Sequence, residues 1–412
     1  MGYFKDALKG ISWMTALEGL TKAVAVLKIA VLARILTPSQ FGSYGIALLV
    51  LGFLEVITET GINVFLIQEK DEIQKYLNSA WVVSIIRGTL VSLLIFLSAP
   101  LVIHFFNTPQ VITLLYLIAA VAFIRGFINP MEVTFQKELK FMKQFLFQGL
   151  LYLIDAGVAI SLGIITHSES AMIISMIVAA TVEVILSFAI FKDRPRLNLD
   201  KEKFLKVIHS GKWVTGAGIF AYIFQNIDNV TVGKVLGTTS LGFYQQSYSI
   251  STLPVSGVSD IFSVVMFPVF VKISDDAKIL KKAFIRAFGA IFFLAIVFGV
   301  VILGFAHPII LVFLGPKWLS IEPVLKVLAV FGVLKSILNS TYSLFLSLKM
   351  QKTVMLSELF GIVGMGLVIY PLVLKYGIVG AGYSTIIAVI CSLPVIIVNI
   401  QKIFIPKDVQ KA

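Results

Sequence analysis

Apolar stretches long enough to cross a lipid bilayer recur from one end of this sequence to the other, and the connections between them are short. They fall near residues 12–35, 41–63, 78–103, 110–131, 144–166, 171–191, 207–235, 241–268, 283–306, 322–348, 353–375 and 379–401. A helix needs about 20 apolar residues to span roughly 30 Å of hydrocarbon, and in lipid every backbone polar group must be satisfied within the protein. The pattern predicts an all-α integral membrane protein with twelve transmembrane helices. Charged residues make up only 14% of the 412. A soluble domain carries about 25%, so this chain cannot keep an aqueous surface around its whole perimeter.

Basic residues set the expected orientation. With the N-terminus inside, the inward segments hold most of the 34 Lys and Arg, among them Lys137, Lys140, Lys143, Lys192, Arg194, Arg196, Lys278, Lys281 and Lys282. The outward loops hold Lys317 and Lys375. Such a bias places both termini on the cytoplasmic side, and the expected location is the cytoplasmic (inner) membrane. Because the bases are dispersed over short segments, the net charge of +12 speaks for topology and against a nucleic-acid partner. The first apolar run contains Glu18, Lys22 and Lys28 and does not read as a cleavable signal. A single cysteine, Cys391, and four scattered histidines give no support for a metal site or redox chemistry, and no phosphate-binding GxxxxGK[ST] loop is present.

The chain also repeats itself. LARILTPSQFGSYG, from Leu32, and VGKVLGTTSLGFYQ, from Val232, share Leu36/Leu236, Gly42/Gly242 and Tyr44/Tyr244, with Arg34/Lys234 conservative. Arg125 and Asn129 answer to Lys335 and Asn339, 210 positions on, and Pro100 to Pro308. The one sizeable polar break, KDRPRLNLDKEKFLK, divides the chain into an N-terminal six-helix bundle (1–191), a cytoplasmic linker (192–206) and a C-terminal six-helix bundle (207–412). Six is even, so the halves run in the same sense and form parallel repeats. Within the repeated stretch, Thr37-Pro38 and Gly237-Thr238 end a helix, Ser39 and Ser240 are placed to cap the next, and Gly42 and Gly242 suit close helix approach.

Function should lie among ionisable residues inside the spans, since a charge at the bilayer centre costs roughly 2.5–3.5 kcal/mol even on a lenient scale. These are Glu18, Lys22, Lys28, Glu55, Glu59, Arg87, Arg125, Asp155 and Glu183, then Lys212, Asp228, Asp260, Arg286, Lys326, Lys335 and Glu358. So many charges imply a hydrated cavity. Glu18 and Lys22 are spaced to neutralise each other, while Glu55 and Glu59, about 40° apart round a helix, need a cation or proton between them. Arg125, Lys212 and Arg286 are explained by snorkelling to the cytoplasmic surface. Lys22, Lys28 and Arg87 are deeper. They are expected to line the path and to attract phosphate. Glu55, Asp155 and Asp228 are the candidates for binding a coupling ion, H⁺ or Na⁺, the bland alternative being pairing with nearby bases.

The stretches Leu32–Gly42 (LARILTPSQFG), Asn226–Tyr244 (NIDNVTVGKVLGTTSLGFY), Phe267–Asp276 (FPVFVKISDD) and Leu314–Trp318 (LGPKW) resemble the polysaccharide flippases of the multidrug/oligosaccharidyl-lipid/polysaccharide exporter superfamily. The resemblance is strongest to the branch exporting colanic and teichuronic acid repeat units. It implies a V-shaped pair of pseudo-symmetric bundles around a central cavity, moving a polyprenyl-diphosphate-linked oligosaccharide from the inner to the outer leaflet by alternating access. Lys22, Lys28 and Arg87 would then hold the diphosphate, and Tyr222, Gln225, Asn226, Tyr244 and Gln245 would face the glycan. No cofactor is implied beyond a coupling ion. The implied partners are the lipid-linked substrate, membrane lipids and a polysaccharide polymerase with other assembly proteins. The rival within the superfamily is a multidrug cation antiporter, against which the deep bases argue. A membrane polymerase would need long outward loops, and the outward connections at 37–40, 107–110, 166–170, 237–240, 315–320 and 375–377 are short, so an enzyme is not expected.

Overall fold

The computed structural model describes the backbone of residues 2–68, 73–198 and 200–404, with no strand among them. Two of the charges placed in the spans, Lys212 and Asp260, lie outside the residues whose side chains are described. The helices are α1 (Gly2–Ile35), α2 (Pro38–Ile57), α3 (Ile62–Gln68), α4 (Gln74–Phe106), α5 (Ile112–Arg125) and α6 (Thr134–Lys137). They continue with α7 (Phe141–Thr166), α8 (Ser170–Ile190), α9 (Lys201–Lys272), α10 (Ala277–Phe313), α11 (Glu322–Ser347) and α12 (Gln351–Phe404). Among the described residues six helices are each long and apolar enough to cross a membrane, or seven if the bent pair Pro109–Arg125 and Pro130–Lys137 is one span. Large apolar side chains point outward along them, such as Leu101, Ile165 and Leu367, each more than 70% exposed. Patches of that kind are unfavourable in water and natural in hydrocarbon, so the protein is a multi-pass membrane protein.

The chain reverses where the sequence places its short connections. Asn107, His167, Gly237, Gly315 and Gly377 have φ of 54°, 49°, 82°, 96° and 60°. Gly237 and Gly377 interrupt α9 and α12, so each of these long elements is two helical segments joined at a glycine. At the remaining connection Thr37 is the N-cap of α2: its hydroxyl accepts from Gln40 N, Gln40 reaches back to the Thr37 N–H, and Pro38 fills the first helical position. Ser39, expected to cap, instead shares a 2.8 Å hydrogen bond with the Thr238 hydroxyl.

Two helices end earlier than their hydrophobicity suggests. The apolar pattern over 41–63 predicts one helix, but α2 stops at Ile57. There the Thr58 hydroxyl donates to Leu54 O at 2.7 Å, and Gly61 takes φ 64° before α3 begins. The stretch at 110–131 also breaks: α5 ends at Arg125, and the chain bends by 72° before Pro130–Lys137. Asn129 holds the bend by accepting from Met131 N at 3.0 Å, and Pro130 has no N–H with which to continue α5.

The chain divides into two compact units, residues 1–222 with 237–242, and residues 223–236 with 243–412. In the first, α1 packs on α7, α4 on α5, and α8 on both α5 and α7. Its core includes the buried Leu114, Leu115 and Ile118. A Cβ on Gly88 of α4 would lie 2.8 Å from Gly126 Cα, so these backbones meet as only glycine allows. Also within this unit, a Cβ on Gly42 would run into the Thr238 carbonyl, and one on Gly242 into the Pro38 carbonyl. In the second unit α11 packs on α10 and α12, around the buried Trp318 and Phe345.

Candidate functional site

Each unit encloses its own polar cavity. That of the first unit, about 390 Å³, sits where α2 and α5 break off; Glu55, Glu59, Arg87, Arg125, Glu132 and Glu183 bring six ionisable side chains to its wall. Arg87, inside α4, donates from Nη2 to Glu59 Oε2 and to Glu55 O, both at 2.8 Å. Arg125 at the end of α5 lies 3.6 Å from Glu55. The like-charged pair Glu55 and Glu59 is therefore neutralised by two arginines from neighbouring helices. Arg125 has a carboxylate partner in addition to any reach toward the membrane surface.

Deeper in the same unit Lys28 of α1 donates to Asp155 of α7 at 2.6 Å, with side-chain exposures of 14% and 21%. Asp155 also accepts from the Ser175 hydroxyl of α8 at 2.7 Å. Lys22 pairs with Glu18 one turn earlier, 2.9 Å away. The three bases expected to meet a diphosphate thus each hold a carboxylate. Tyr222 donates its hydroxyl to Leu49 O at 2.6 Å and sets its ring against Phe53.

The cavity of the second unit, about 180 Å³, is lined by Gln225, Asp228, Tyr248, Lys335, Asn339 and Glu358, among others. Asp228 is buried, accepting from the Tyr244 hydroxyl at 2.8 Å and from Asn229 N at 2.7 Å. Lys335 donates to the Tyr248 hydroxyl at 2.9 Å and lies over the rings of Tyr248 and Phe331. Tyr244 is fully buried, whereas Asn226 and Gln245 are partly exposed.

The two linings repeat each other. Arg125, Ile128, Asn129, Glu132 and Gln148 line the first cavity, and the residues 210 positions on, Lys335, Leu338, Asn339, Tyr342 and Glu358, line the second. The repeated tyrosines behave alike as well. Tyr244 binds Asp228, and the partly buried Tyr44 lies within electrostatic reach of Asp155, its hydroxyl donating to Met176 Sδ at 3.8 Å. Duplication noticed in a short sequence match extends to the polar interior of both units.

The match to known proteins runs the same way. Residues 31–323 fit the family described as polysaccharide biosynthesis protein. The chain belongs to that family. Among its relatives, the teichuronic acid biosynthesis protein TuaB of Bacillus subtilis is 23% identical over 348 residues, 83% of this chain and 71% of TuaB. The lipopolysaccharide biosynthesis protein WzxC of Escherichia coli is 25% identical over 353 residues, 84% of this chain and 71% of WzxC. This polysaccharide biosynthesis protein also shares its fold with solved transporters. The lipid II flippase MurJ, in an inward closed conformation, superposes with a TM-score of 0.77 at 17% identity, covering 95% of this chain and 89% of MurJ. An inward-facing multidrug resistance MATE family transporter of the MOP superfamily follows with a TM-score of 0.70 at 16% identity, covering 94% of each chain.

Sequence reasoning missed Glu132 and Gln144 of the first cavity. An unbroken apolar segment over 110–131 leaves Glu132 outside the span; the Pro130 that ends it was the available signal. Gln144 begins a hydrophobic run and carries no charge, so nothing in its neighbours marks it.

Proposed function

We propose that this polysaccharide biosynthesis protein is a flippase rather than an enzyme. It moves a polyprenyl-diphosphate-linked oligosaccharide repeat unit from the cytoplasmic to the outer leaflet of the cytoplasmic membrane by alternating access, for cell-surface polysaccharide assembly. The observation that carries the reading is the match to TuaB and WzxC over 83% and 84% of the chain. The fold shared with a lipid II flippase supports it. In this reading twelve helices form two six-helix bundles, 1–191 and 207–412, with both termini cytoplasmic, an ion gradient drives the cycle, and a polymerase takes the product.

Lys22, Lys28 and Arg87 are proposed to receive the diphosphate by exchanging their carboxylate partners for phosphate oxygens, a swap that keeps each base paired and leaves Glu18, Asp155 and Glu59 to water or a proton. Tyr222, Gln225, Asn226, Tyr244 and Gln245 are proposed for the glycan, and Glu55, Asp155 and Asp228 for ion coupling.

The test is reconstitution into liposomes with a fluorescent polyprenyl-diphosphate oligosaccharide and a membrane-impermeant quencher. Flipping brings the inner-leaflet half of the probe to the quencher only in vesicles that contain the protein. Export of an organic cation with no movement of the lipid-linked sugar would select the antiporter reading instead.

A further inference from the structure

The second unit gathers bases on its outside. At the start of α10, Lys278, Lys281, Lys282 and Arg286 surround a shallow groove of about 410 Å³, with Ile285 among them. All of these side chains are exposed. At 100° per residue they fall on an arc of about 140°, whereas Leu280, Phe284 and Ile291 point the other way and are buried. Among the described residues none of the four bases makes an ion pair. The acids just before them supply no partner. Asp276 uses its carboxylate to cap α10, accepting from Lys278 N at 2.9 Å and Ile279 N at 3.0 Å, and the exposed Asp275 holds none of them.

The basic segment of the first unit is arranged differently: Lys137 donates to Leu66 O and Lys140 pairs with Glu138. On α10, like charges four apart, Lys278 with Lys282 and Lys282 with Arg286, repel each other. An unpaired set of this kind is stabilised by an anion from outside the chain.

What lies along the helix from the bases decides which anion. Over about four further turns the same arc carries Gly289, Phe293, Ile296 and Val300, all exposed, Phe293 and Val300 by 65% and 60%. A Cβ on Gly289 would meet nothing within 4 Å, so the space just beyond the bases is open. Because α10 is long and apolar enough to cross the membrane, its basic end lies at headgroup level and this apolar track runs into hydrocarbon. A soluble anion would use the bases and leave the track idle; a phosphate carrying acyl chains uses both. We infer that this face of the second unit binds an anionic phospholipid. Its phosphate lies among Lys278, Lys281, Lys282 and Arg286, and an acyl chain follows Gly289, Phe293 and Ile296. The site stands apart from both polar cavities and does not rest on the flippase reading.

The experiment is native mass spectrometry of the purified full chain in neutral detergent, titrated with dioleoyl phosphatidylglycerol or dioleoyl phosphatidylcholine at fixed ionic strength. Saturable binding of phosphatidylglycerol is expected, about tenfold or more tighter than that of phosphatidylcholine. Each base near an anionic lipid is worth about fivefold, so Lys281→Gln, Lys282→Gln and Arg286→Gln together should weaken binding about 100-fold. Removing as many exposed bases from the linker, by Lys192→Gln, Arg194→Gln and Arg196→Gln together, should leave it intact. Lys281→Arg with Lys282→Arg keeps the charge and should keep the lipid. Inorganic phosphate in place of chloride should not displace it. Phosphatidylcholine binding as tightly, or an equal loss in the linker variant, overturns the inference, the latter because diffuse charge alone would then suffice. Displacement by inorganic phosphate overturns it as well. Should the glutamine variant of α10 misfold, the comparison of the two lipids and the phosphate competition still decide.

Discussion

Breaking the Lys28–Asp155 pair separates a structural role from a transport role more sharply than any other change. The pair joins α1 to α7 at 2.6 Å with side-chain exposures of 14% and 21%, and Ser175 is the other donor to Asp155. Removing one partner of a fully buried ion pair leaves the other charge uncompensated at a cost of about 3–5 kcal/mol, and this partly buried pair should approach the lower end of that range. Replacing both by neutral side chains of similar volume is often neutral. Lys28→Met and Asp155→Asn should therefore each lower the apparent melting temperature strongly, while the double variant recovers most of the loss. A coupling energy of about 2–3 kcal/mol is expected, near the top of the range for contacting residues. Thermal unfolding of the solubilised protein measures it, in parallel with the flipping assay. The double variant should fold and fail to flip, because it has lost a base proposed for the diphosphate. Restored flipping would reduce Lys28 to a strut between helices. The electrostatic reasoning itself is refuted if Lys28→Met is as harmful in the Asp155→Asn background as beside the native aspartate.

Further outcomes follow from packing and hydrogen bonding. Gly42→Ala and Gly242→Ala should each destabilise by about 1–3 kcal/mol through overpacking, whereas Gly157→Ala, with nothing within 4 Å of its added carbon, should gain up to about 1 kcal/mol from helix propensity; melting temperatures decide. Tyr244→Phe removes the hydroxyl bound to buried Asp228 and should cost about 1.5–3 kcal/mol, read in the same assay. If Asp228→Asn proves equally harmful in the Tyr244→Phe background, the two side chains do not act as a pair.

Much of the helical plan was legible because lipid allows few alternatives. The segments at 78–103, 144–166, 171–191 and 322–348 each correspond to one helix, that at 283–306 is broken near its end by a kink at Phe305, and the reversals at Asn107, His167, Gly237, Gly315 and Gly377 fall in expected connections. Hydrophobicity averages over a window, however, and so runs straight through Thr58–Gly61 and Gly126–Pro130. The breaks there depend on a side-chain hydroxyl taking a backbone carbonyl and on an asparagine turning the chain, local events that a window dilutes. The first cavity lies at those same breaks. All of its ionisable residues but Glu132 could be named from the sequence, and the four-residue spacing of Glu55 and Glu59 even showed that they needed neutralising. Which arginine reaches which glutamate depends on how α2, α4 and α5 pack, and spacing along one helix carries none of that.

Gly42 and Gly242 press their bare backbones against each other's chain, the same motif meeting its own copy. A side chain gained by either would run into a carbonyl of the other copy, that of Thr238 or of Pro38, and a backbone cannot step aside as a side chain can. The close approach binds both copies at once, whatever residues surround them. The signature that betrays the duplication survives at the place where the two descendants restrain one another.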